Sequence, residues 1–409
     1  MKIWIKYLIG SCMGVIMALF LPLDSNTAKN LLEFFTEISV RMGRYFLLPT
    51  IFFSMGVAIA RLRIKKTLFR TGGLIVLTGV FSTLVVVLLG VFSAFIIDIP
   101  RIPILDESTP NPNLLTIQEH FLLLFPVNGI GGLLDGENLT PLYVLAIFLG
   151  FGFAADQMHA KPVFTFFDSA SRICYSVLCL FVDFLAIGMI AISCSWFISF
   201  FDTLNREVYT GLIILLAGNA VVIICGVLPL LLWLFAKKTQ PYKVLYASIA
   251  PIITGLFSGD ANLSLGTSIR HTKDSLGVSR KIGALSVPLF SSFARSGSGL
   301  VVAVSFITIL RSYSGLEISF ENITWIFFFS VGISFFLSSI PVGGPFIALA
   351  FLCAVYGRGF EAGYLLLQPI AFILCTFATV IDVAVSIFGS YFVAFKEKQV
   401  AEKNIYKFI

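Results

Sequence analysis

Two ionisable residues stand inside long apolar stretches. Arg295 lies in Ser291-Ser292-Phe293-Ala294-Arg295-Ser296-Gly297-Ser298-Gly299. Asp382 lies in the otherwise almost uncharged run from Thr376 to Phe395. A charge at bilayer depth costs about 2.5–3.5 kcal/mol on insertion scales, so such residues pair, meet water or bind a ligand, and mark a functional site by default. A buried arginine offers a fixed positive charge and five donors. A buried aspartate offers a counter-ion, a proton carrier or a ligand to a cation. Together they point to a translocation site. Asp382 shares one helix face with Gln368, Cys375, Thr379 and Ser386, which recur at three-, four- and seven-residue spacing. Two plainer readings stand beside this one. The stripe is a packing seam with small polar residues as glue, or Arg295 and Asp382 are a structural pair. Asp260, in Gly259-Asp260-Ala261-Asn262, is either a third site residue or a solvated acid at a loop tip.

The surrounding composition fixes the class. The chain has 409 residues, 58% hydrophobic and 12% charged, with 43 Phe; soluble domains carry about 25% charged residues. It reads as an all-α polytopic membrane protein. The net charge of +6 is no nucleic-acid signal, because the positive residues sit in short loops and at the ends, as membrane topology requires. The seven cysteines lie in apolar segments without a CxxC pattern, so neither disulfides nor a metal site is expected, and no cofactor. His120, His159 and His271 fall in or near loops and read as solvated. The segment Tyr7 to Leu21 is like a signal peptide but lacks a clean cleavage site, and is read as a retained first helix.

At about 20 residues per crossing, eight spanning helices are expected, at about 4–21, 37–61, 71–97, a broken region within 125–155, 168–200, 208–236, 281–310 and 360–395. The basic cluster Arg61, Arg63, Lys65, Lys66, Arg70 marks the cytoplasm, as do Lys237, Lys238 and Lys243, the group Arg270 to Lys281, and the tail Lys396 to Lys407. Both termini are therefore expected inside and the loop from Asp98 to Glu119 outside. Two further segments are interrupted. Val244 to Ile269 carries Pro251, Gly255, Gly259 and Gly266, and both its ends face the cytoplasm. The stretch at about 323–357 carries Ile340-Pro341-Val342-Gly343-Gly344-Pro345 and enters from outside. One re-entrant hairpin from each side, each followed by a full helix, is an inverted repeat. Glycine- and proline-broken segments in corresponding halves are the best sequence pointer to a transporter binding site, and irregular backbone at membrane depth survives only where it is buried or lines a cavity.

These residues resemble the dicarboxylate/amino acid:cation symporter family, the glutamate-transporter homologues. Phe46-Leu47-Leu48-Pro49-Thr50-Ile51-Phe52 is similar to the signature of its second helix. Phe125-Pro126-Val127-Asn128 with Gly136 and Leu139 is similar to the start of its broken fourth helix. Pro251 to Arg270, followed by Leu276-Gly277-Val278-Ser279, resembles its first hairpin, and Ser286-Val287-Pro288-Leu289 the lead-in to its seventh helix. Ile340-Pro341-Val342-Gly343-Gly344 resembles the tip of its second hairpin, and Gly389-Ser390-Tyr391-Phe392-Val393-Ala394 the end of its eighth helix. The resemblance covers nearly the whole chain. It implies a homotrimer in the cytoplasmic membrane. Residues 1–70 would be scaffold helices, 71–97 a helix of the transport domain, 98–205 an outer loop and further scaffold. Residues 206–409 would be the remaining transport domain, moving as an elevator with the hairpin tips as gates.

The departures fall on the site. Where the family has N-M-D-G-T, with Asn and Asp binding sodium, this chain has Ala294-Arg295-Ser296-Gly297-Ser298. The family's later Asp and Asn ligands fall on Ser386 and Asp382, its acid for the substrate amino group on Cys375, and its substrate-binding Arg on Ala378. A sodium site needs several hard oxygen ligands, by analogy with other hard cations, and these are thinned out. Arg295 is therefore expected to stand in for a cation, with Asp382 as counter-ion, giving weak or absent sodium coupling; proton coupling would run through Asp382 or Asp260. Asp260, Ala261, Asn262, Arg295, Ser298, Ile340, Gly344, Cys375, Ala378 and Asp382 are the expected substrate residues. Thr78, Ala294, Ser296, Asp382 and Ser386 form the cation region. The substrate is expected to be a small carboxylate-bearing solute, amino acid or dicarboxylate; a sodium- or proton-coupled carrier of a neutral amino acid is the alternative. An intramembrane enzyme is a distant third reading, since no histidine base lies within a span, and a channel or sensor a fourth.

Overall fold

The computed structural model describes residues 2–409 except 22–25, 98–99, 104–116, 127, 130, 132–137, 205–206, 238, 314–318 and 341. Pro22, Val127, Gly132, Gly136, Lys238, Pro341 and most of the loop from Asp98 to Glu119 lie outside the described residues. Most of the rest is helical. In order, α1 is Ile3–Phe20, α2 Asn26–Tyr45, α3 Leu47–Ile64, α4 Leu68–Ile96, α5 Ile117–Leu124, α6 Thr140–Ala155 and α7 Lys161–Leu204. There follow α8 Thr210–Val221, α9 Leu228–Phe235, α10 Pro241–Ser258, α11 Ala261–Asp274, α12 Arg280–Phe293, α13 Ser296–Tyr313, α14 Phe320–Phe336, α15 Gly344–Tyr356 and α16 Ala371–Lys396. Among the described residues the one β-type contact is a bridge between Val278 and Val400, which pins the C-terminal tail beside the loop after α11.

Seven helical stretches are long and apolar enough to cross a membrane among the described residues. Of the eight expected, the fourth is described as α6, whose 16 residues reach about 24 Å at 1.5 Å each; residues 127, 130 and 132–137 of its broken region lie outside the described residues. The helix expected at 37–61 is instead two, α2 and α3, separated at Phe46. The cause is Pro49, which cannot donate to the carbonyl of Tyr45 and whose ring crowds it. Pro229 acts similarly: the preceding turn, Val222–Val227, widens to a π-helix between α8 and α9.

Burial sorts the apolar helices in a way hydropathy cannot. The spanning window of Arg280–Tyr313 is 94% buried and that of Gly363–Lys396 83%, against 33% for Ile3–Phe20. Helices α12, α13 and α16 form the core, while α1 and α7 turn large side chains such as Ile16, Phe20, Phe166 and Ile187 outward. In a bilayer such faces meet lipid and need no cover.

Both interrupted segments fold as helix–turn–helix units. The first, α10 and α11, turns at Gly259, whose φ of +61° is the left-handed region that glycine enters without a Cβ penalty. Asp260 then caps α11 by accepting from the Asn262 amide at 2.8 Å. The second pairs α14 with α15 through a 3-10 turn, Leu337–Ser339, and Gly343 at φ +74°. The expected continuous helix at 281–310 is broken: α12 ends at Phe293, α13 begins at Ser296, and Ala294 and Arg295 lie between them in non-helical backbone.

Candidate functional site

The break between α12 and α13 is the centre of the site, because it exposes the start of a buried helix. The first amides of a helix have no partner within it. Asp382, on α16, supplies one. Its Oδ1 accepts from the amide of Gly297 at 2.6 Å and of Ser298 at 3.3 Å, and its Oδ2 from the Ser298 hydroxyl at 2.7 Å. The carboxylate, 4% exposed, is thus held by the positive end of a helix dipole. Gly297 is required for this approach. A Cβ there would collide with the Ala378 carbonyl oxygen and lie 2.6 Å from the Ile381 Cβ.

Arg295 points elsewhere. Its Nη1 donates to the Ile340 carbonyl at 2.6 Å, and its Nε to the Ser291 carbonyl at 3.4 Å. The expected direct pairing with Asp382 is corrected: among the described residues no carboxylate oxygen lies within 4.0 Å of the Arg295 guanidinium. Asp382 is its strongest acidic neighbour and Asp260 the next, both acting through space. The reason is competition. The α13 amides and the Ser298 hydroxyl occupy the Asp382 oxygens, while the guanidinium is drawn to a carbonyl freed where the second hairpin's backbone turns. Arg295 is 3% exposed, and it ties the break to the hairpin tip. Gly344, the first residue of α15, lies against it: a Cβ there would stand 3.1 Å from Nη1.

The remaining expected residues divide. Ala294 is buried against Gly79, and Ser296 shares a hydrogen bond of 3.0 Å with Thr83 of α4. Ala261 and Asn262 open α11 beside Asp260, all buried. Cys375, buried, has its thiol against the backbone of Gly343 and Phe346, so it touches the second hairpin. Ala378 is fully buried beneath Gly297. Ser386 lies farther along, donating to the Val287 carbonyl at 3.2 Å. Thr78 is not brought to the break. Its hydroxyl bonds back to the Leu74 carbonyl at 2.7 Å, and it lines an apolar cavity of about 280 Å³ with Phe81, Leu232 and Phe388. Thr83, one turn on, is the α4 hydroxyl that reaches the site.

Sequence reasoning missed Arg44. This α2 residue pairs with Asp260 through Nη2 and donates from Nε at 2.6 Å. Asp260 is therefore not a solvated tip acid; it is 2% exposed and held from another helix. The available signal was an arginine three residues after Arg41 and just ahead of the apolar run Tyr45 to Ala60. Tyr143 of α6, hydrogen-bonded to Ser292 at 2.8 Å, was missed as well. The histidine reading needs correction at one position. His271 is 2% exposed, packed at the end of α11, with its Nε2 unpartnered. It lies within the last turn of α11, its Nδ1 3.5 Å from the Ser275 hydroxyl, and not in a loop. His159 is exposed beside Asp156, and the side chain of His120 is outside the described residues.

A buried helix break, two helix–turn–helix tips converging on it and charges at the convergence define a multi-pass helical membrane protein with a polar site in its core. The sodium:dicarboxylate symporter family matches residues 3–395, and the chain belongs to that family. Relatives are distant. Neutral amino acid transporter A of Homo sapiens is 22% identical over 216 residues, 53% of this chain and 40% of that protein. Excitatory amino acid transporter 2 of Mus musculus is 23% identical over 54% of this chain and 38% of its own length. A putative sodium-dependent excitatory amino acid transporter of Caenorhabditis elegans is 21% identical over 81% of this chain and 68% of its own. The chain thus spans about 40% of the first two. Relatives of this kind are transporters, not enzymes.

Proposed function

We propose that this chain is a secondary transporter of a small carboxylate-bearing solute, amino acid or dicarboxylate, working by an elevator motion in a cytoplasmic membrane. In this reading it has eight crossings, two re-entrant hairpins, both termini inside and three copies per assembly. The observation that carries it is the position of Arg295. Its guanidinium lies at the helix break and donates to the second hairpin's tip, with Asp382 and Asp260 acting on it through space. Residues 1–70 and 98–205 serve as scaffold, and 71–97 and 206–409 as the moving part.

Arg295 is a cation that cannot leave. It holds the second tip as a bound ion would, so closure needs no sodium, and coupling is weak or absent. The site still offers a positive charge to a substrate carboxylate once the Ile340 carbonyl yields. The neutral-amino-acid reading draws on the name of the human relative and on Ala378, which offers no charge to a second carboxylate. Proton coupling through Asp382 or Asp260 is compatible with either.

Uptake of labelled amino acids and dicarboxylates into proteoliposomes at clamped potential tests this, with sodium replaced by choline. Equal uptake in both supports the tethered-cation reading. Saturable dependence on a sodium gradient overturns it. Arg295→Met should slow uptake by about ten-fold or more, since a desolvated charged contact of 2–5 kcal/mol is lost.

A further inference from the structure

Helix α7 carries three polar side chains on one stripe, Asp168, Tyr175 and Asp183, at intervals of seven and eight residues. Each meets a partner from the segment that runs from α11 into α12. Arg280 lies 3.3 Å from the Asp168 carboxylate. The Tyr175 hydroxyl donates to Asp274 at 2.7 Å. Arg270 donates to Asp183 at 3.0 Å and to the Cys179 carbonyl at 2.7 Å. The two sides run in opposite chain directions, 168 to 183 against 280 to 270. Lys273 covers the Tyr175 ring at 3.2 Å.

The charges alternate: acid, phenol and acid on α7 face base, acid and base on the hairpin side. Seven residues of helix are about 10 Å. A slide of that size toward the start of α7 would bring Asp274 level with Asp168 and Arg280 level with Lys161. A slide the other way would bring Asp274 level with Asp183 and Arg270 level with the apolar stretch near Ile190. In this register both arginines face an acid; in either shifted one neither does, and Asp274 is brought to an acid instead. Like charges in register repel and exclude wrong pairings.

We infer that this ladder sets the resting position of the first hairpin against α7, and that Asp274 is the residue that forbids a stop one rung away. The inference rests on the elevator reading, since it concerns where the moving part halts. It makes travel along α7 a jump between separated positions. Arg44 on Asp260 holds the same hairpin at its tip, so the latch grips both ends.

Electron–electron distances in the full chain, reconstituted in vesicles, test it. Nitroxides are attached through ketone-bearing residues at exposed Ser176 on α7 and Lys396 at the end of α16, leaving native cysteines in place. The parent should give one dominant distance. Arg270→Asp, which sets acid against Asp183, should raise the displaced population on the order of ten-fold, and adding Asp183→Arg should return it. Asp274→Asn keeps an acceptor for Tyr175, so it folds with the ladder's geometry; it should add intermediate distances absent from the parent. An unchanged distribution in Arg270→Asp, no recovery in the double variant, or no intermediates in Asp274→Asn overturns the inference. Counterflow of labelled substrate in the same vesicles separates the two readings. Distances that respond without counterflow overturn the transporter reading and leave the ladder; counterflow with unresponsive distances does the reverse.

Discussion

Replacing Asp382 with alanine removes the acceptor for two α13 amides and one hydroxyl at once. The cap alone is worth about 0.5–2 kcal/mol. The Ser298 hydroxyl, 2% exposed, is then left without its acceptor, at a further cost of about 1–3 kcal/mol. Arg295 also loses an acidic neighbour that acts on it through space. The cap and hydroxyl effects overlap in a single cluster, so the expected total is about 2–4 kcal/mol. Asparagine is the informative comparison. Its oxygen still accepts from the Gly297 amide, and its amide can donate to the Ser298 hydroxyl, which then accepts. It loses charge but keeps geometry, and should cost about 1–2 kcal/mol. Thermal unfolding of the detergent-solubilised full chain, followed by loss of the monodisperse peak in gel filtration, reads the order parent, then Asn, then Ala. An alanine variant as stable as the parent would refute the capping role. An asparagine variant as damaged as alanine would show that charge near Arg295, and not capping, sets the cost.

Other consequences follow from single contacts. Gly297→Ala should destabilise by about 1–3 kcal/mol by overpacking against the Ala378 carbonyl and Ile381, visible in the same unfolding assay. Arg44→Gln strips Asp260 of its ion pair while leaving the α11 cap intact; a loss of about 1–3 kcal/mol is expected, and faster proteolysis or hydrogen exchange at residues 255–265 would report it. Tyr143→Phe removes the hydrogen bond to Ser292 between α6 and α12 and should cost about 1 kcal/mol; a neutral result would mean that the Ser292 hydroxyl finds another partner. Thr78→Val should leave both stability and uptake near parental values, because its hydroxyl serves only the α4 backbone, whereas Thr83→Val should weaken the contact to Ser296.

Apolar run lengths and the glycine turns were legible because their causes are local; the break ahead of Pro49 has a local cause too, but the apolar run through 37–61 reads as one helix. The cost of a charge in hydrocarbon is also a property of the residue and its immediate sequence, and so Arg295 and Asp382 could be marked as exceptional without knowing what lay beside them. Both helix–turn–helix units followed from glycine and proline placement, since φ above zero and a missing amide act within a turn or two. Partners could not be read in this way. Asp382 and Gly297 are 85 positions apart, Arg295 and Ile340 are 45, and Arg44 and Asp260 are 216. Apolar surroundings around each were consistent with many pairings, among them the direct Arg295–Asp382 pair that packing does not form. Which oxygen meets which donor depends on how α12, α13 and α16 stack and where α12 breaks. The same is true of His271, a polar residue between basic neighbours in the sequence that the fold turns into its core. Composition and spacing determined that this chain crosses a membrane around a charged centre; tertiary packing alone decided that the centre is a capped helix break held to one hairpin tip by an arginine and to α2, through the other tip, by a second.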